Sequence, residues 1–548
     1  MRFALSLAAL LVAAAPAFPS DVPDELRLLG PICHSEPPPS ITGPHRLVML
    51  EGMGDDHMAA DTRSPVAQRW FDYGLTLARS FEHGDAVLAF QRAEAADPTC
   101  SLCVWGEAWA SGPNINFGPG PEAAPRLLAL ARKAQSLATP DAPAPIRSLE
   151  AALVDRYAGK GGDLAYARDL DALQKARPGD VETAVFDAEA WLIMEGEGDP
   201  SGPTRALQVL EPLVPAHADS SGLIHFYVHA TEEAGVPERA APYAARLAQL
   251  APSASHMVHM PSHTWFRIGR YEEAALANVA ALKVDLAYAR RTDFPTPLGR
   301  LTYHFHDIAF GLAAAVMAGD RQVALDMIRQ FNRDFPSPAT YDSQAESAAA
   351  DVLEALGRVE EPSVVLAAPD AVASKPYLEA LRHYARGEAD LRLGRAADAR
   401  AEAAQVVLPA GYVAPSGSVR PAVVRIAQLT LQAEADLREG DAAGAADAFA
   451  KAANLQDARL ALHADPPPWA WPVRRALAAA LLAKGDAAGA AREATATLAV
   501  WKLDPLALAV RARAERALGQ AGAAAKDEAA ARQGWRGAAA GLAPAAAT

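Results

Sequence analysis

A pattern of large and small apolar residues recurs in this chain at a spacing of about 34 residues. No other feature constrains the fold as much. In the unit that starts at Ala67, Trp70, Gly74 and Leu77 fall on one predicted helix. Ala86, Phe90 and Ala93 fall on the next, and Pro98 ends it. Small residues at Gly74 and Ala86 let the two helices approach, and Phe90 fills the gap to the following unit. The same offsets return in Pro237 to Pro252, with Ala240, Ala244, Leu247 and Pro252. They return more weakly in Asp163 to Pro178, where Tyr166 and Leu173 are large at places that want alanine. Gly269 to Ala274 reads as a turn into a second helix, and similar turns stand at Gly319, Gly394, Gly440, Gly485 and Gly519. Each is a helix stop followed by an Ala-rich amphipathic run.

A pair of helices cannot bury its apolar face alone, but a stack of pairs can. The expected fold is therefore all-α, a solenoid of helical hairpins. The offsets resemble the tetratricopeptide (TPR) consensus, which implies a right-handed superhelix. The 548 residues leave room for about a dozen units. Abundant alanine and an aromatic content of only 7% favour stacked helices over a sheet. The rhythm breaks at 112–121, 410–418 and 464–468, which read as Pro- or Gly-rich connections, and the Ala-rich tail after Gly537 is expected to fray. These breaks suggest a Pro-rich segment over 18–63, an N-terminal TPR array over 64–335 and a C-terminal TPR-like array over 336–548.

Residues 1–17 read as a signal peptide. Arg2 gives a basic start, Ala4 to Ala15 is apolar, and Ala15-Pro16-Ala17 suits a signal peptidase. The stretch is shorter than the ~20 residues needed to span a bilayer. The mature protein is expected in the periplasm or secreted, without a transmembrane segment. Three cysteines make no disulfide framework. Cys100 and Cys103 form a C-x-x-C without the strand–helix context of a redox motif. They read as packing cysteines, or as an oxidised pair in an exported protein. The formal charge of −15, with no basic cluster, argues against nucleic acid as a partner.

The chemistry lies in the histidines. His225 and His229 share one predicted helix; His256, His259 and His263 share another. Spacings of three and four put these side chains on one helix face. Ala240 and Ala274 hold equivalent places in consecutive units, and so do His225 with His259 and His229 with His263. The two sets should stack side by side on the concave groove, within reach of one transition metal ion, zinc or copper foremost. His306 on the next unit and Glu189 on the preceding one are further candidates for the shell. A zincin motif is absent, because Phe226, Tyr227 and Val228 separate His225 from His229. Met257 and Met260 read as core filling, and copper gains only if a thioether faces the site.

Several stretches are similar to a family of large bacterial TPR-domain proteins of poorly defined function. They are 71–75, 81–83, 97–103, 105–108, 112–116, 225–230, 256–263 and 466–474. The resemblance spans most of the mature chain and implies a shared site around the histidines. It departs at His57, where the pattern has a neighbouring pair, and at Ala309, where it has a second histidine after His306. The resemblance places His83 at a helix start, as a second metal ligand or a cap.

Three functions follow as expectations. The first is metal binding through His225, His229, His256, His259 and His263. The second is a peptide- or protein-binding scaffold whose groove is lined by Trp105, Trp109 and Asn114. The third is a metal-dependent hydrolase or oxidase, with Glu232 or Glu233 as base.

Overall fold

The computed structural model describes residues 46–543, apart from 140, 160, 197, 370, 371, 373, 416, 417 and 461–464. The signal peptide expected over 1–17 and most of the expected Pro-rich segment lie outside the described residues. Among those described there is no strand.

The helices follow one another as antiparallel hairpins. The first half holds α1 (Pro65–Arg79), α2 (His83–Ala96), α3 (Ser101–Ala110), α4 (Ala124–Leu137), α5 (Ala144–Tyr157), α6 (Gly162–Ala176), α7 (Val181–Gly196) and α8 (Gly202–Leu210). The middle holds α9 (Ser221–Glu233), α10 (Ala241–Ala244), α11 (Leu247–Leu250), α12 (Ser255–His259), α13 (Pro261–Arg267), α14 (Tyr271–Thr292), α15 (His304–Ala318) and α16 (Arg321–Asp334). The rest holds α17 (Ser343–Val359), α18 (Pro362–Ala367), α19 (Pro376–Arg392), α20 (Ala396–Gln405), α21 (Arg420–Arg438), α22 (Ala442–Arg459), α23 (Val473–Ala483), α24 (Ala487–Val500), α25 (Pro505–Ala517) and α26 (Ala521–Gly534). The chain is an all-α solenoid of TPR-type helical hairpins.

Local chemistry sets the hairpin ends. Gly319 and Gly485 adopt φ of +71° and +89°, a region that favours glycine and stops α15 and α23. The next residues, Asp320 and Asp486, accept from the amides of Val323 and Gly489 and so start the following helices. Between helices, Phe90 is clasped by two glycines. A β-carbon at Gly74 would fall 2.9 Å from its ring, and one at Gly106 2.4 Å. The small–large pairing read in the first unit is therefore physical. Two helices are less regular than their pattern. The second helix after α9 splits into a 3-10 turn, α10 and α11. The next unit's first helix breaks into α12 and α13 at Pro261, which has no amide to donate.

Residues 46–64 run over the first hairpins. The Arg46 amide donates to the Thr292 carbonyl, and Asp61 accepts from the amides of Ser101 and Leu102 at the start of α3. One hydrophobic core is continuous from Leu50 to Trp501 and passes through the connection near 336. The array also curls onto itself. Tyr271 Oη donates to the Lys502 carbonyl, and the Arg536 amide donates to that of Ala318. Segment 465–472 is carried by this curl into the space beside α13 and α15, where Asp465 meets His263 and Pro467 lies with Leu312 and Ala313.

Candidate metal centre

The histidines do not line an open groove. His225 and His259 are wholly buried, and His229, His256, His263 and His306 are at most 6% exposed. They form two sets. His225, His229 and His256 are one, and His259, His263 and His306 the other; in each, one ligand atom per residue lies within 4.8 Å of the other two.

Ser220 caps α9 by accepting from the Leu223 amide, and the spacing of four puts His225 and His229 on one face. His225 Nδ1 lies 2.6 Å from the Arg79 carbonyl oxygen. A carbonyl only accepts, so Nδ1 carries the proton. Burial pushes the His225 pKa down to about 3, so the ring is neutral and its Nε2 is a lone pair. Nε2 of His256 approaches that lone pair to 3.1 Å and Nε2 of His229 to 3.2 Å. Burial likewise drives both of these imidazoles well below their ordinary pKa.

The second set is anchored by stronger acceptors. His259 Nδ1 donates to Asn278 Oδ1 at 2.6 Å and lies 3.2 Å from Asp307 Oδ1. The Asn278 amide is oriented by donating from Nδ2 to the Ala274 carbonyl. His263 Nδ1 faces Glu232 Oε2 at 2.6 Å and Asp465 Oδ2 at 2.7 Å. Nε2 of His259 and His263 then meet at 2.8 Å. Burial opposes charge on His263, but Asp465 and Glu232 outweigh it and hold its pKa at about 10. His306 closes the set with its ring centroid 4.8 Å from that of His259, and burial lowers its pKa to about 4.

In both sets the outer nitrogens that can be assigned donate to oxygen, and the inner Nε2 atoms converge. Two imidazole lone pairs at such distances repel unless a proton or a metal ion lies between or beside them. A proton serves between His263 and His259. A metal ion serves for three nitrogens at once. With Zn–N near 2.0–2.1 Å, tetrahedral ligand atoms stand about 3.3 Å apart, close to the 3.1 and 3.2 Å of the first set. Oxygen acceptors on the outer nitrogen are also what metal-binding histidines usually have.

The walls are aromatic. The Phe81 ring centroid lies 4.5 Å from His225 and 4.7 Å from His256, and Tyr303 is also 4.7 Å from His256. Phe310 lies 5.1 Å from His263. Phe81 and Tyr303 both have positive φ, 61° and 65°, a conformation rare for bulky residues. Strain of this kind costs of order 1–3 kcal/mol and clusters at functional sites.

The remaining expected residues fall elsewhere. His57 is exposed and pairs with Asp72 at 3.0 Å. His83 is partly buried and stacks on Phe81, outside both sets. Glu189 is buried in α7 against Trp109, with burial raising its pKa to about 7. Trp105 and Trp109 stack on each other in the core, where the Trp105 indole donates to the Leu149 carbonyl. They are at most 3% exposed and offer no surface to a docked chain. Asn114 accepts from the amides of Asn116 and Phe117 and so shapes its own loop. Asn116, which the sequence did not single out, reaches the cluster by donating to Tyr303 Oη at 2.8 Å. Glu232 is not free to act as a base, because its oxygens accept from His263 and Arg267. Glu233 is buried near Glu195, and burial raises its pKa. Met257 and Met260 sit in the apolar core.

The register of 34 residues is half right in space. His229 and His263 come together, ring centroids 5.4 Å apart. His225 meets His256 instead of His259. Asp465 had a signal, since it immediately precedes the Pro-Trp motif over 466–474. Asn278 and Asp307 had none. Cys100 and Cys103 are joined by a disulfide at the start of α3, so they are more than packing neighbours.

No protein-family model matches the chain, and no curated protein matches it. Among solved structures, a human IFIT1 dimer with m7Gppp-AAAA aligns at 13% identity and TM-score 0.32, covering 86% of this chain and 91% of that one. The P58(IPK) TPR domain aligns at 12% identity and TM-score 0.17, covering 71% of this chain and 98% of that one. Likenesses this distant say nothing about the site.

Proposed function

We propose that this is an exported helical-repeat protein that binds a first-row transition metal, zinc or copper, through its buried histidines. One observation carries the reading. The Nδ1 atoms of His225, His259 and His263 are committed to oxygen, while their Nε2 atoms point inward at one another and at neighbouring imidazoles, 2.8–3.2 Å apart. Imidazole is a good ligand for zinc, copper, nickel and iron. The carboxylates of Glu232, Asp465 and Asp307 supply negative charge just outside the ring of nitrogens. Export is supported by the apolar N-terminal stretch and by the Cys100–Cys103 disulfide, which suits an oxidising compartment.

The test is elemental analysis of the full chain, purified without a His tag and loaded under controlled free metal. At least one equivalent should remain after desalting. Less than about a tenth of a metal per chain sinks the reading, since an intact three-imidazole site holds zinc tightly.

A scaffold reading has one observation in its favour. A shallow recess lies between α15, α17 and the 467–471 segment, lined by Asp351, Glu354, Trp469 and Trp471. It predicts peptide capture that persists in EDTA and in His259→Ala.

A further inference from the structure

We propose that the six histidines hold two metal ions side by side, His225, His229 and His256 on one and His259, His263 and His306 on the other. The inference rests on the metal-binding reading and sharpens its stoichiometry.

The distances decide between one ion and two. A single octahedral ion with bonds near 2.1 Å would place all six nitrogens within about 4.2 Å of one another. They would then form one set. Instead they separate into two sets of three under a limit of 4.8 Å. A tetrahedral ion uses four ligands, which would strand at least two buried imidazoles. Two ions with three imidazoles each strand none. The sets abut: ring centroids of His256 and His259 are 5.6 Å apart, and those of His229 and His263 5.4 Å.

The two positions differ in strength. The second set leans on Glu232 and Asp465 through His263 and on Asp307 through His259. Among the described residues, the first leans on the Arg79 carbonyl through His225, and His256 Nδ1 has no hydrogen-bond partner. Carboxylate support makes an imidazole a stronger ligand, and losing such a partner costs 10–100-fold in metal affinity. The second set therefore fills first. Three protein ligands leave one position on each ion, the arrangement of open zinc sites. That position takes a small ligand such as water or hydroxide. Phe81, Tyr303 and Phe310 limit its size, and the two left-handed aromatic residues hold the wall against the first set.

Cobalt(II), followed by its visible d–d absorption, and zinc(II), followed by elemental analysis, are titrated into the untagged full chain. The expected result is saturation at two equivalents in two phases, the first at least tenfold tighter. His225→Gln should retain one equivalent and the tight phase. His306→Gln should retain one equivalent and lose the tight phase. Far-UV circular dichroism checks that each variant is folded, and the wild-type stoichiometry needs no variant. One equivalent in the wild type overturns the two-ion inference and leaves metal binding standing. None overturns both. Two equivalents retained by His225→Gln overturn the assignment of ligands.

Discussion

The histidine cluster and the network around Arg358 are both polar groups sealed inside an apolar helical array. They are satisfied in opposite ways. Arg358 Nη2 lies 2.7 Å from Tyr384 Oη, 2.8 Å from Glu388 and 3.0 Å from Glu434, and its guanidinium covers the Trp471 ring at 4.4 Å. That network carries its own cation against Glu388, and burial together with Glu388 raises the pKa of Glu434 to about 8, so that Glu434 keeps a proton. Among the histidines the order is inverted. Oxygen acceptors stand outside, the Nδ1 atoms of His225, His259 and His263 face them, and the Nε2 atoms converge inward. Removing the cation from a buried network that contains its countercharge destabilises the fold. One whose nitrogens converge would receive a cation on the reading proposed above.

The largest expected effect comes from removing the internal cation. Arg358→Met leaves Glu388 and Glu434 buried without their cation, which should cost about 3–5 kcal/mol. Thermal unfolding should show the loss equally with and without chelator. A cost below about 1 kcal/mol would mean that the two networks are not balanced differently.

Metal should act only on the other network. At free metal a thousandfold above Kd, binding to the native state stabilises it by about 4 kcal/mol. Amide exchange should slow across α9 and α12–α14, leave α19 and α21 unchanged, and revert with EDTA. Protection spread evenly over both regions would erase the distinction.

A finer cut is Glu232→Gln. The amide oxygen still accepts from His263 but carries no charge, so metal affinity should fall about 10–100-fold with the fold intact. Unaltered affinity would show that the carboxylates beside the cluster serve packing alone.

The smallest effect is a pH dependence at the lip of the Arg358 network. Burial raises the pKa of Asp351 and Glu354 well above the usual carboxylate range. Both bind protons more tightly folded than unfolded. Their contribution is full below the unfolded values and fades as pH rises through the folded ones. Amide exchange in α17, corrected for its intrinsic rate, should therefore quicken as pH rises above the usual carboxylate range. A flat profile would place these carboxyls in water.

Much of the fold was legible from residues alone. Gly74 and Phe90 announced a close helix crossing, and the Gly-Asp turns announced the hairpins, because both depend on contacts within one or two units. The histidine faces on α9 and α12–α13 were legible for the same reason, since spacing along a helix sets which side chains share a face. Their grouping was not. It depends on α15 delivering His306 from the next unit. Asp465 reaches His263 across 202 residues only because the array curls back, and no local period encodes that curl.

By itself, then, the sequence determined that this chain stacks helical hairpins and that its histidines fall on helix faces in neighbouring units. Tertiary structure alone decided that these histidines are buried rather than set in an open groove. It also decided that they divide three and three, and that Asn278, Asp307 and Asp465 hold two of them from behind. The physical reason is range. Helix periodicity is written in residues three and four apart, whereas the direction of a lone pair is settled by whichever oxygen the packed chain brings to the other side of the ring.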